Sequence, residues 1–180
     1  MHKRSVLAFD PAAETVVSDT GWALLEYDDD TAPRLVDSGV ISGGYQGFCD
    51  WMDDSRAAFH NGTVVCEQFR LYRAAADPSP LLIEGVIRYM WPKTVLQRAN
   101  EKEIASKTRL KKLGVWSSEG HHADAGSAVQ HAYAYLLRQR HEPTIRLFSP
   151  PRPTPPPWVK HQPPEPFRFR GGIIVGVQIL

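Results

Sequence analysis

Two apolar runs in this chain stop on a carboxylate. Ser5-Val6-Leu7-Ala8-Phe9 ends at Asp10, and Val64-Val65-Cys66 ends at Glu67. Runs this short and apolar, halted by a charge or a turn, read as buried strands. A carboxylate at a strand end stays near solvent while the sheet fixes its backbone. A third acid, Asp124, follows His121-His122-Ala123 at the start of a helical pattern. Any fold proposed for the chain has to account for these three positions.

Between the two runs, Thr20 to Tyr27 reads as a second strand, Asp28-Asp29-Asp30 as an exposed turn, and Arg34 to Ile41 as a third strand closed by Ser42-Gly43-Gly44. Three strands on short connections predict an antiparallel meander. Phe48 to Phe59 carries aromatic residues and Met52 at helical spacing, ending at Asn61-Gly62. Thr63 to Phe69, an apolar strand after a crossover helix, has the character of a central parallel strand. Leu81 to Met90 predicts a helix, Thr94 to Gln97 a short strand, and Ala99 to Trp116 a basic, partly helical stretch. Ala125, Ala128, Val129, Ala132, Tyr135 and Leu136 trace one face of a helix from about His121 to Arg140. The expected fold is α/β: a mixed five-stranded sheet, three antiparallel strands then parallel ones, flanked by helices.

A chain of 180 residues suits one folded domain. The proline content divides it: ten of its 15 prolines lie between Pro143 and Pro166. Residues 1–142 are therefore read as the globular domain and 143–180 as a proline-rich tail, with Pro155-Pro156-Pro157 favouring polyproline II. The apolar end, Gly171 to Leu180, is compatible with a docked strand or with no folded role. Two cysteines, Cys49 and Cys66, are too few for a disulfide framework and are expected to be buried free thiols. No apolar stretch reaches membrane-spanning length, and the run after Met1-His2-Lys3-Arg4 is too short for a signal core. The expectation is a cytoplasmic protein.

In this strand order the first and fourth strands can lie side by side, bringing Asp10 and Glu67 within reach of one cation. His121 and Asp124, three apart, share a helix face. Oxygen-rich sites of this kind suit Mg²⁺, and a pair of such ions can activate water and stabilise a leaving oxygen in phosphodiester attack. Plainer readings exist for each residue. Asp10 before Pro11 suits a turn; Asp124 suits the first turn of a helix, where the dipole favours it; His121 suits a surface position. Glu67 is harder to explain away, because a buried unpaired charge after Val64-Val65-Cys66 is costly.

The residues also resemble a family. Val6-Leu7-Ala8-Phe9-Asp10-Pro11, then Thr20-Gly21-Trp22-Ala23 and Ser38-Gly39-Val40-Ile41, is similar to the opening of RuvC-type Holliday-junction resolvases. Val64 to Phe69 resembles their second acidic motif, and His121 to Ala125, running into Ala128, His131 and Ala132, resembles their last. The resemblance covers about Val6 to Arg138. It implies an RNase H-like fold, Mg²⁺ or Mn²⁺ dependence with two ions per site, and a homodimer that nicks two strands of a four-way junction. By position it makes Asp10, Glu67, His121 and Asp124 the catalytic metal ligands. The chain departs from the pattern in a longer loop after Asp10, Ala12 in place of a glycine, and the proline-rich tail. Those departures suggest a divergent, phage-type member.

Seven basic residues between Lys93 and Lys112 stand against Glu101 and Glu103. Arg98, Lys102, Lys107, Arg109, Lys111 and Lys112 are candidate phosphate contacts, with a solvated face as the plainer alternative. Arg70, Tyr72 and Arg73 directly follow Glu67 and could stack on unpaired bases at a junction. With a net charge of +1, DNA binding would have to come from such local patches. Two other functions fit these residues: an RNase H-like nuclease acting on flaps, forks or hybrids, and a non-catalytic DNA-binding protein on the same fold.

Overall fold

β1 (Arg4–Asp10) is the hub of the sheet. It pairs antiparallel with β2 (Thr20–Tyr27) on one side and parallel with β4 (Thr63–Glu67) on the other. With β3 (Arg34–Ile41) and β5 (Val95–Gln97) the order is β3-β2-β1-β4-β5. This is the mixed sheet expected from the strand pattern, with β3, β2 and β1 as an antiparallel meander and β4 and β5 parallel to β1. The computed structural model describes residues 3–12, 19–55, 60–70, 77–116 and 122–149. The expected proline-rich tail lies outside them from residue 150 onward.

Strand parity decides what each face carries. Side chains alternate across a strand. In β1, Val6 and Ala8 point to one face, where they pack with Ala23, Leu25, Val65, Ala128, Val129, Ala132, Tyr133 and Leu136. Leu7 and Phe9 point to the other, among Ile41, Phe48, Met52, Val64, Cys66, Ile83 and Ile87. Asp10 therefore continues the row of Val6 and Ala8. By the same count Glu67 continues Val65, and Gln97 continues Val95. Three polar residues from three adjacent strands arrive on one face, under the helix that covers it.

That helix is α4 (His122–Arg138). The expected face is buried except for the partly exposed Tyr135, and the burial goes further: His131, Ala132, Tyr133 and Ala134 are all sealed from solvent. Alanines on both sides of the interface, Ala8 and Ala23 below and Ala128 and Ala132 above, let the helix lie close to the sheet. At its N-terminus the approach is closer still. A Cβ on Gly21 would lie 2.0 Å from the Asp124 carbonyl oxygen, so the helix start fits here because residue 21 has no side chain.

The other face is covered by α1 (Gly44–Asp54) and α2 (Ser79–Met90). α1 begins earlier than the aromatic spacing indicated. Gly43-Gly44, read as a stop, instead form the helix start: Gly43 is the N-cap at φ 89°. The end of the expected helix, 56–59, falls outside the described residues. Between β5 and α4 run a 3₁₀ helix (Ala99–Ile104) and α3 (Lys107–Lys112). α5 (Glu142–Phe148) lies in the stretch where proline content pointed to a tail. Pro143 sits in its first turn, where a missing N–H leaves no bond unmade. Its N-cap, His141, is buried, with Nε2 2.5 Å from the Asp28 carbonyl and Nδ1 2.7 Å from Thr144 Oγ1. Cys66 is a buried free thiol as expected; Cys49, on α1, is partly exposed instead. No helix among the described residues is long and apolar enough to cross a membrane.

Candidate metal centre

The parallel pairing sets Phe9 against Cys66, so Asp10 and Glu67 leave adjacent strands side by side. With His131 of α4 they form a cluster whose ligand atoms all lie within 4.8 Å of one another. Glu67 is held from several directions. Its Oε2 is 2.7 Å from His131 Nε2, and His131 Nδ1 is 2.7 Å from Gln97 Oε1. The backbone beyond it is tied down as well: Gln68 N–H donates to the Gln97 carbonyl at 2.6 Å, and Phe69 N–H donates to the buried Glu84 carboxylate at 3.0 Å. Glu84 in turn pairs with Arg88.

A lysine lies inside the cluster. Lys102 Nζ is 2.7 Å from Glu67 Oε2, 3.3 Å from Asp10 Oδ2 and 2.7 Å from Ser127 Oγ. The side chains of Asp10, Glu67 and Lys102 are 15%, 18% and 14% exposed, so the group is largely buried rather than an exposed acidic patch.

Burial raises the Asp10 carboxyl above its ordinary range; Lys102 opposes the rise and Glu67 adds to it. Burial pushes Glu67 up too, but hydrogen bonds from His131 and Lys102 outweigh it and hold that carboxyl at about 2. Burial alone would lower the Lys102 ammonium, and the two carboxylates more than reverse it, so the lysine is raised and stays charged.

Of the residues expected at the site, Asp10 and Glu67 are brought together. Asp124 does not join the described cluster. Its Oδ2 accepts the Asp19 N–H at 2.8 Å, tying the start of α4 to the loop before β2. His121 lies outside the described residues. His131 and Ser127 are site residues that the sequence reading did not assign. They lie seven and three positions after Asp124, and that spacing puts all three on one face of α4. Lys102, read as a phosphate contact, faces inward instead. Its 3₁₀ helix is braced on α4 by the Glu101–Arg138 pair at 2.6 Å and by Gln130 Nε2 donating to the Ala105 carbonyl at 2.9 Å.

The other basic candidates scatter. Arg109 donates through Nε to the Leu147 carbonyl. Lys107 lies over the Trp116 ring, 5.5 Å from its centroid. Arg70, Arg98, Lys111 and Lys112 are exposed, and Tyr72 and Arg73 fall outside the described residues.

This donor set fits a hard divalent cation. Two carboxylates from fixed strand ends converge on one point, and a charged group held between them already marks a cation seat.

No family model matches the sequence, and no curated protein matches it in sequence. Solved structures do match in shape. A structure of T. thermophilus RuvC in complex with a Holliday junction substrate superposes with a TM-score of 0.53 at 12% identity, over 77% of this chain and 97% of that one. A second Thermus thermophilus RuvC structure gives a TM-score of 0.50 at 15% identity, over 76% and 97%. The chain has the RuvC fold. It is RNase H-like in its sheet order and divergent in its sequence, as the motif resemblance implied.

Proposed function

We propose that this protein is a divalent-metal-dependent endonuclease that resolves four-way DNA junctions by paired phosphodiester hydrolysis. The observation that carries the reading is the convergence of Asp10, Glu67 and His131 within 4.8 Å, at the strand ends of a RuvC fold. A RuvC structure of that fold holds a Holliday junction substrate, and this supports branched DNA as the substrate here.

In this reading Asp10 and Glu67 hold Mg²⁺ or Mn²⁺, and Asp124, in the first turn of α4, and His121 complete a two-ion ligand set. The metal, when bound, supplies the charge that activates water and stabilises the leaving oxygen. Glu67 is suited to its part because it remains ionised across the physiological range. His131, fixed by Gln97, is a positioning residue: it holds the Glu67 carboxylate in one orientation. Exposed Arg70, Arg98, Lys111 and Lys112 are the proposed phosphate contacts, with Tyr72 and Arg73 beside them in sequence. A homodimer would supply two such sites for symmetric nicking. The exposed apolar side chains of α2, Leu81, Leu82 and Tyr89, are a surface that a second copy could cover.

The test is cleavage of a labelled synthetic four-way junction with Mg²⁺ or Mn²⁺, comparing wild type with Asp10→Asn and Glu67→Gln beside duplex, fork and flap controls. Paired symmetric nicks that need metal and vanish in both variants are expected. Cleavage of flaps or forks alone would keep the nuclease and change its substrate. One observation favours a second reading, a non-catalytic DNA-binding protein: the Lys102 ammonium already partly neutralises the carboxylates. Binding without metal-dependent cleavage of any substrate would select it.

A further inference from the structure

We propose that Lys102 is a built-in counter-cation of the carboxylate cleft, which a divalent ion must displace, so that this one side chain sets the metal affinity of the protein. The inference rests on the metal-site reading above. Three acceptors surround the ammonium: Glu67 Oε2 at 2.7 Å, Ser127 Oγ at 2.7 Å and Asp10 Oδ2 at 3.3 Å. An ammonium has three hydrogens to give, so its donors are all used in this seat. Two of the oxygens it engages, Asp10 Oδ2 and Glu67 Oε2, belong to the carboxylates that would hold the metal. Two cations cannot share them, because the ammonium occupies the space between the carboxylates and repels any second positive charge there.

Charge explains why the chain would keep a lysine in this place. Asp10 and Glu67 together bring two negative charges into a cleft whose side chains are less than a fifth exposed. Leaving both uncompensated would be expensive. Lys102 offsets one charge in the metal-free protein; a divalent ion offsets both and releases the lysine. The backbone allows the exchange. The 3₁₀ helix that bears Lys102 is anchored through its neighbours, Glu101 to Arg138 and Ala105 to Gln130, so it can stay in place while the four-carbon stem swings away. Ser127 supplies the third acceptor for the ammonium. That role gives a neutral hydroxyl a reason to sit between Asp124 and His131 on the inward face of α4.

The two states are linked, so removing the lysine should strengthen metal binding. We expect Lys102→Met to bind Mn²⁺ about tenfold more tightly than wild type, read by isothermal titration calorimetry and by the electron paramagnetic resonance signal of free Mn²⁺. In chelator its Tm should fall, and the Tm gained on adding Mn²⁺ should exceed that of wild type. Lys102→Gln, neutral but able to hydrogen-bond, should shift both quantities the same way. If either variant folds only with Mn²⁺ present, the proposal holds in its strongest form. Equal or weaker Mn²⁺ binding in both variants, with wild-type binding abolished by Asp10→Asn, would overturn the counter-cation and leave the metal site standing. Variants that fold neither in chelator nor with Mn²⁺ would also overturn it, because the metal should replace the lost charge. Wild-type Mn²⁺ binding that is absent, or indifferent to Asp10→Asn, would remove the metal site and the proposal together.

Discussion

The two faces of the sheet are packed in different ways. Behind Leu7 and Phe9 the contacts are aromatic and thick. Phe9 meets Phe48 edge-on at 5.7 Å, Trp51 at 6.0 Å and Trp91 in a stack at 5.9 Å, while Trp22 lies 5.5 Å from Trp51. In front of Val6 and Ala8 the core is mainly aliphatic, with Leu25, Leu110, Val129, Tyr133 and Leu136, but it includes small residues between strand and helix: Ala8 and Ala23, Ala128 and Ala132, and Gly21 against bare backbone. Both faces bury apolar area, the main source of stability, and on the Phe9 face large rings supply it. Small residues on the other let α4 approach until His131 and Ser127 reach the strand-end carboxylates. The reactive groups lie on the α4 side of the strands, opposite the aromatic cluster.

The largest expected effect tests that contrast from the aromatic side. Phe9→Ala should cost about 3–5 kcal/mol of stability, measured by denaturant unfolding, because it empties a ring that has three aromatic neighbours. At temperatures where the variant stays folded, its Mn²⁺ affinity should match wild type. A large loss of metal affinity in folded Phe9→Ala would show that the two faces are not independent.

From the α4 side, Gly21→Ala should act the other way round. The added Cβ meets backbone 2.0 Å away, so the first turn of α4 must shift, carrying Asp124 and, through the helix, Ser127 with it. A displacement near an ångström in a positioned group can slow a reaction about a hundredfold. We expect junction cleavage to fall by about that factor, with a smaller change in unfolding free energy than Phe9→Ala gives. Wild-type cleavage by Gly21→Ala would mean that the close approach of α4 is packing without function.

How much of this was legible beforehand depends on whether a pattern has a period. The strands did: Val6 to Asp10 and Val64 to Glu67 show apolar runs with a charged stop, and alternation then assigns Asp10, Glu67 and Gln97 to one face. The start of α1 was hidden because Gly43-Gly44 has the composition of a turn, and glycine at a helix N-cap looks the same in sequence. α5 was hidden by Pro143, which ends helices everywhere except in their first turn. Lys102 misled for a different reason. Two turns of 3₁₀ helix in a basic stretch are too short to show a period from which to infer the direction of one side chain. His131 belongs to the stretch that resembles the last acidic motif, seven positions after Asp124, but nothing in the sequence gives it a role at the carboxylates.

Acid titration sharpens the comparison at the carboxylates themselves. Glu67 is depressed from 4.5 to about 2 on folding. Its ionised form therefore contributes stability that is present above pH 4.5 and is lost as the pH falls through about 2. A shift of this size corresponds to about 3 kcal/mol, nearer 2 once solvent screening is counted. Asp10 has the opposite sign: its raised carboxyl costs stability when ionised, and that cost is relieved as acid protonates it. Wild type should thus change little as the pH first drops below neutral and then lose stability steeply between pH 4.5 and 2. Glu67→Gln should lack the steep part. The difference between the two unfolding free energies, followed from pH 6 to pH 2, should shrink toward zero. A constant difference would mean that the His131 and Lys102 bonds do not favour the ionised Glu67.

The smallest effect concerns charges that face outward. Lys102 and the pair Lys111 and Lys112 belong to the same basic stretch, yet the first is spent on Asp10 and Glu67 while the other two are exposed on α3. A lysine that neutralises a phosphate releases a counterion, and each such contact contributes about 0.9 to the slope of log affinity against log salt. Lys111→Ala with Lys112→Ala should lower the slope for junction binding by about two and weaken binding equally across DNA sequences. Lys102→Met should leave the slope nearly unchanged, because in this structure its charge is answered within the protein. If Lys102→Met lowered the slope by a full contact, the lysine would be at a phosphate when DNA is bound, and its release from the carboxylates would be part of how the site meets its substrate.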